Sequence, residues 1–150
     1  MERHTSLTTE GSALMQHVSI CFVSGVVGAV AVVLFGRILF ILGVSQALGV
    51  TAPPPLGPPV IYKLLFWGGL WGIPFGLFMK AAWKRLYLIG FLYFLAPVLA
   101  LFLVFLPRSG AGFFGLQQGG PMITVYYLLV NLPFGIIMAL TARAIVGKNA

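Results

Sequence analysis

Residues 64–106 read LLFWGGLWGIPFGLFMKAAWKRLYLIGFLYFLAPVLALFLVFL. Two apolar runs, 64–82 and 86–106, are split by the basic pair Lys84-Arg85. A helix needs about 20 apolar residues to cross the hydrocarbon core of a bilayer, and each run has that length. The space between them admits only a tight turn, so the pair predicts an antiparallel helical hairpin that crosses a membrane twice.

The same signal recurs on both sides of this hairpin. An apolar run from about residue 14 to 50 is strongly polar only at Gln16, His17, Arg37 and Gln46. It is longer than one span requires and shorter than two spans with a turn would need. It reads as one long or tilted helix with an interfacial continuation after Arg37. TAPPPLGPP (51–59) has five prolines in nine residues, an extended and stiff connector. PRSGAGFFGLQQGGP (107–121) is a glycine-rich loop, and a fourth apolar run covers 122–142. The expectation is an all-α membrane protein, a four-transmembrane-helix bundle with helices at approximately 14–48, 62–82, 86–106 and 121–143. A single domain over 14–146 then lies between short polar tails, 1–13 and 147–150. Ala29-Val30-Ala31 mimics a signal-cleavage site. It lies inside a continuing apolar run, however, behind a segment with two Glu and one Arg, so a retained helix is expected.

Composition agrees. Charged residues are 7% of the 150, against about 25% in ordinary soluble domains. Glu2 and Glu10 are the only acids and there is no Asp. That argues against paired-carboxylate catalysis, a carboxylate-rich Ca²⁺ or Mg²⁺ site, a Ser-His-Asp triad and a proton-coupled transporter built on a buried acid. Cys21 is the only cysteine, so there is no intrachain disulfide and no CxxC motif. The net charge of +7 is scattered at the ends of apolar runs. It reads as topology and contact with anionic lipid, with no nucleic-acid partner.

With four spans, the first tail, the second loop and the last tail share a side. They carry Arg3, Lys80, Lys84, Arg85, Arg143 and Lys148, against Lys63, Arg108 and, where it reaches the surface, Arg37 on the other side. Both termini are therefore expected to be cytoplasmic, with the chain in a cytoplasmic (inner) membrane. Trp83 and Tyr87 are expected at the inner interface and Tyr62, Tyr126 and Tyr127 at the outer one.

Helix 2 carries Gly68, Gly72 and Gly76 at intervals of four, which places them on one face. Such a stripe lets two backbones approach closely. Ser24 and Gly28 in helix 1, with Gly25 and Ala29 beside them, and Gly135 and Ala139 in helix 4 have the same spacing. These helix-packing residues serve either the inside of one subunit or a seam with a second copy or partner. Pro74-Phe75-Gly76 with Met79 recurs as Pro133-Phe134-Gly135 with Met138, offset by 59 residues. The pattern suggests two parallel-related hairpins, as in some transporters.

Four polar groups stand out in the spans. Arg37 has no acid in any predicted span. It either meets carbonyls, an anion or a partner's acid, or it snorkels to lipid phosphate at the end of a shorter span. Asn131 is an intramembrane amide that either satisfies the backbone freed by Pro133 or bonds across helices. His17 and Cys21, one turn apart with Met15 nearby, are weak soft-metal candidates; no metal or other cofactor is expected from so few ligands. Gln117, Gln118, Phe113 and Phe114 sit in the third loop, as a lid, a docking surface or a plain connector.

Three functions follow as expectations. The first is a non-enzymatic accessory or assembly subunit, or a self-associating scaffold, acting by helix contacts with its own copies or another membrane subunit. The second is a small oligomeric channel or carrier for an anion or neutral solute, motivated by Arg37 and the repeat. A membrane enzyme ranks last, since His17, Cys21 and the tyrosines bring no converging acid or base.

Overall fold

The computed structural model describes residues 2–81 and 83–147. Among these residues four helices are long and apolar enough to cross a membrane, and no strand is present. They are α1 (Glu2–Ile41), α2 (Pro58–Ala81), α3 (the interrupted helix Trp83–Arg108) and α4 (Pro121–Gly147).

The bounds differ from those expected, for local reasons. The backbone is helical from Glu2 rather than 14, because the polar segment contains no proline and nothing else that must break a helix. α1 ends at Ile41 rather than 48. Gly43 adopts a left-handed φ of 78° there, and only one further turn, Val44–Ala47, follows before Gly49 reverses the chain again at φ 85°. α2 starts at Pro58 rather than 62, since proline suits the first turn of a helix. α4 runs on to Gly147, and residues 148–150 of the expected tail lie outside the described residues.

α3 is the irregular helix. It opens with a 3₁₀ turn at Trp83–Arg85, breaks at Phe94 and carries a π-helical turn at Leu101–Phe105. Pro97 explains the break: it has no N–H for the Tyr93 carbonyl four residues earlier. The next bond, Val98 N–H to the Phe94 carbonyl, is long at 3.4 Å. The ladder resumes in a wider register beyond it. The loop after α3 is folded onto the helix ends. Thr124 donates to the Phe114 carbonyl (2.8 Å), Tyr127 donates to Gln118 Oε1 (3.2 Å), and Phe114 stacks on Phe102 at 5.3 Å.

Glycine decides which helices touch. A Cβ on Gly25 of α1 would sit 2.9 Å from the Gly72 Cα of α2 and against the Gly68 carbonyl. One on Gly72 would meet the Cys21 carbonyl, and one on Gly76 would lie 2.6 Å from Cys21 Sγ. The α2 stripe therefore faces His17, Cys21, Gly25 and Ala29 of α1, within one chain. On the next face of α1, Gly28 meets α4, where its Cβ would lie 2.8 Å from the Phe134 carbonyl. Ser24 is fully buried and donates to the Ile20 carbonyl of its own helix (2.7 Å). In turn α4 meets α3: Gly135 lies against the Gly90 carbonyl, and a Cβ on Gly90 would be 2.7 Å from the Ala139 methyl. Gly25 and Gly90 are thus the closest-approach partners of the stripe residues singled out by spacing.

The two copies of P-F-G-x-x-M occupy corresponding environments. Phe75, Phe134, Met79 and Met138 are all buried. Gly76 faces α1 and Gly135 faces α3, so each glycine packs on the preceding helix of its own hairpin. Each phenylalanine turns to the other hairpin, Phe75 to Tyr93 of α3 and Phe134 to Gly28 of α1. The likeness stops at those contacts, because Phe134 sits at a close backbone approach between α1 and α4, whereas Phe75 meets α3 only through the Tyr93 ring.

Enlarging the stripe should therefore damage the fold of a single chain. Gly72→Leu and Gly135→Leu are each expected to lower stability by about 1–3 kcal/mol, read as earlier thermal unfolding in detergent. Gly11→Leu, whose Cβ meets nothing within 4 Å, should leave the transition unchanged.

Candidate functional site

α2 and α3 meet through large rings rather than through glycines. Trp67 stands edge-on to Phe105 at 5.1 Å, and Phe75 and Phe78 lie 5.2 and 6.1 Å from Tyr93. The Tyr93 hydroxyl donates to the Trp71 carbonyl at 2.7 Å, in the turn that Pro74 disturbs. Rings of this size hold the two backbones apart and leave a crevice between them of about 460 Å³. That lies within the roughly 300–1,000 Å³ range of small-molecule sites. Trp67 and Trp71 of α2 and Phe105 of α3 form its sides, and its inner wall comes from Ala29 and Val32 of α1 and from α4, with Tyr126, Tyr127, Val130 and Phe134. Its only charged lining residue is Lys63, exposed on the first turns of α2. Leu64 and Trp67 on its rim are also exposed, so the crevice opens sideways.

Asn131 lines this crevice, but its amide donates to the Tyr127 carbonyl of its own helix at 2.8 Å. It neither crosses to another helix nor reaches Leu129, whose carbonyl Pro133 leaves free. A helical side chain leans toward the N-terminus, and the carbonyl four residues back is the one in reach. Arg37 stands elsewhere, half-buried and one turn before the end of α1. Among the described side chains it has no ion pair, and its place near the helix end suits a guanidinium reaching lipid phosphate.

The opposite ends of the helices carry two further groupings. The Arg143 guanidinium of α4 lies 4.9 Å from the Tyr87 ring and 5.7 Å from the Trp83 ring, a cation–π clamp that ties α4 to the start of α3. Spacing gave no sign of this pairing, which joins residues of two helices. His17 and Cys21 do come together, against α2. His17 Nε2 lies 3.1 Å from the Gly76 carbonyl, and Cys21 Sγ lies 3.8 Å from Met79 Sδ. Met15 points away and is 73% exposed. Met79 was not recognisable as their neighbour, because the contact depends on how far α2 slides along α1. Beside them is a groove of about 350 Å³ lined by His17, Met79, Trp83 and Val146. Among the described residues no three His, Cys, Asp or Glu side chains converge.

No protein-family model, no curated protein and no solved structure matches this chain.

Tyr93 and Asn131 make a discriminating pair. Tyr93→Phe removes a bond between two helices and should cost about 1 kcal/mol in detergent unfolding. Asn131→Leu removes a bond within one helix and should cost less.

Proposed function

We propose that this chain is a multi-pass integral membrane protein of a cytoplasmic (inner) membrane, a four-helix bundle with both termini inside. It acts without catalysis, as an accessory or assembly subunit that holds another membrane protein by helix contact. The crevice between α2 and α3 is the observation that carries this reading. It is apolar and ring-lined, and it opens toward the side of the bundle that lipid or a neighbouring helix would occupy. Aromatic residues around a desolvated pocket are the usual anchors of tight interfaces. The glycine faces already pack within the chain, which leaves the crevice as the concave surface offered to a partner. A side chain projecting from a partner helix is its proposed occupant. Self-association of this chain through the same surface is the scaffold form of the proposal.

The channel or carrier reading draws on Arg37, on the P-F-G-x-x-M repeat and on the prolines inside α2 and α4. Phe75, Phe134, Met79, Met138 and Val98 are buried between the helices, so a conduit for an anion or neutral solute would have to run between copies.

A photo-reactive amino acid placed at Leu64 on the rim, with Leu34 on the far surface of α1 as control, tests the proposal in native membranes. The expected result is one protein adduct of defined mass from Leu64 and lipid adducts alone from Leu34, with mass spectrometry identifying the partner as a foreign subunit or a second copy. Lipid adducts alone from both positions would contradict it.

A further inference from the structure

We propose that one anionic phospholipid binds at the end of the bundle where all four helices converge, with its phosphate on Arg143 and its glycerol and upper chains in the groove beside it. His17 of α1, Met79 of α2, Trp83 of α3 and Val146 of α4 line that groove, which holds about 350 Å³. His17 Nε2 lies 3.1 Å from the Gly76 carbonyl, so this wall is fixed to α2. Met79 is buried and gives the groove an apolar floor.

Arg143 joins a cation to this groove. Its guanidinium lies 5.7 Å from the ring of Trp83, which lines the groove, and 4.9 Å from the Tyr87 ring. Val146, three residues further on, shares its face of α4. The two rings hold the guanidinium by its charge. Among the described residues it has no ion pair and no hydrogen-bond acceptor. A guanidinium fixed in place, with its N–H fork still open, matches the paired oxygens of a phosphate.

The surrounding charge has one sign. Lys84 and Arg85 follow Trp83 in the same 3₁₀ turn, and both are exposed. The chain's two acids, Glu2 and Glu10, stand seven or more residues before His17, about 10 Å or more further along the axis of α1. Among the described residues Arg143 is the one cation held over aromatic rings.

The surface next to the cations favours a lipid over a soluble anion. Leu88 lies one turn beyond Lys84 and Arg85 on α3 and is 56% exposed, and Leu77 near the end of α2 is 78% exposed. Along α3 the surface thus passes within one turn from two cations to a bare leucine, in the order of a phosphate and its acyl chain. A soluble anion would leave Met79, Trp83 and Val146 unused. Basic pockets between membrane helices are the usual seats of anionic lipid head groups.

Native mass spectrometry of the full chain, released from mixed micelles with equal phosphatidylglycerol and phosphatidylcholine, tests the site. One phosphatidylglycerol per chain is expected to stay bound in preference to phosphatidylcholine. Arg143→Gln, and Lys84→Gln combined with Arg85→Gln, should weaken retention by about fivefold per charge removed. Lys63→Gln combined with Arg108→Gln removes two charges from the other end and should leave it unchanged. Val146→Trp fills the groove and keeps every charge. It should weaken retention as well, and it reports on the site even where Arg143→Gln loosens the clamp; circular dichroism and thermal unfolding verify the fold of each variant. Soluble glycerol phosphate competes for the cations alone and should not displace the lipid. Equal retention of the two lipids, unchanged retention in Arg143→Gln, or equal losses from the charge variants of both ends would overturn the site. Displacement by glycerol phosphate would overturn it too, by showing a soluble phosphate as the ligand. None of these results bears on the crevice, which Lys63 lines near the start of α2.

Discussion

Close backbone approach at glycine is the constraint on which the rest of this structure depends. Lipid tails are as apolar as leucine, so apolar burial gives two membrane helices little reason to prefer each other over the bilayer; packing contact must supply it. Here that contact is concentrated where side chains are missing. Gly25 meets Gly68 and Gly72, Gly28 meets the Phe134 backbone, and Gly90 meets Gly135. Three of the four neighbouring helix pairs are fixed this way. The fourth, α2 with α3, is bridged by Trp67, Phe75, Phe105 and Tyr93 instead, and the crevice is what remains when rings replace glycines between two helices.

Polar groups in the spans follow a complementary rule. Ser24, Asn131 and Thr141 all bond carbonyls of their own helices, which leaves helix association to shape. Tyr93 is an exception: its bond to the Trp71 carbonyl joins two helices where Pro74 disturbs one of them. Cys21 is another, since its thiol faces a sulfur on α2. His17 is a third, with its Nε2 3.1 Å from the Gly76 carbonyl of α2.

Four long apolar helices were legible from residues 64–106 and their neighbours, because hydropathy over some 20 residues depends on composition and not on partners. The glycine face of α2 was legible too, since spacing of four defines a face. Its partner was not: whether Gly72 meets Gly25 of the same chain or a second copy depends on the relative shift and rotation of two helices, which no single helix encodes. The same limit hid Met79 beside Cys21 and Arg143 between Trp83 and Tyr87. Helix ends were misplaced where one residue decided them, as at Gly43, whose left-handed backbone stops α1 well inside an apolar run. The broken ladder of α3 had a visible cause in Pro97, which the apolar run around it obscured.

The central claim is that the glycine faces of α1 and α2 meet within one chain. Gly76→Cys puts a second thiol at a position whose Cβ lies 2.6 Å from Cys21 Sγ, and the chain has no other cysteine. Mild oxidation of this variant in native membranes, followed by a non-reducing gel and thiol counting, is the most direct measurement. The account predicts a monomeric band with both thiols consumed. Covalent dimers that appear with Gly76→Cys and not with the wild-type chain would place the glycine stripe between copies and contradict it.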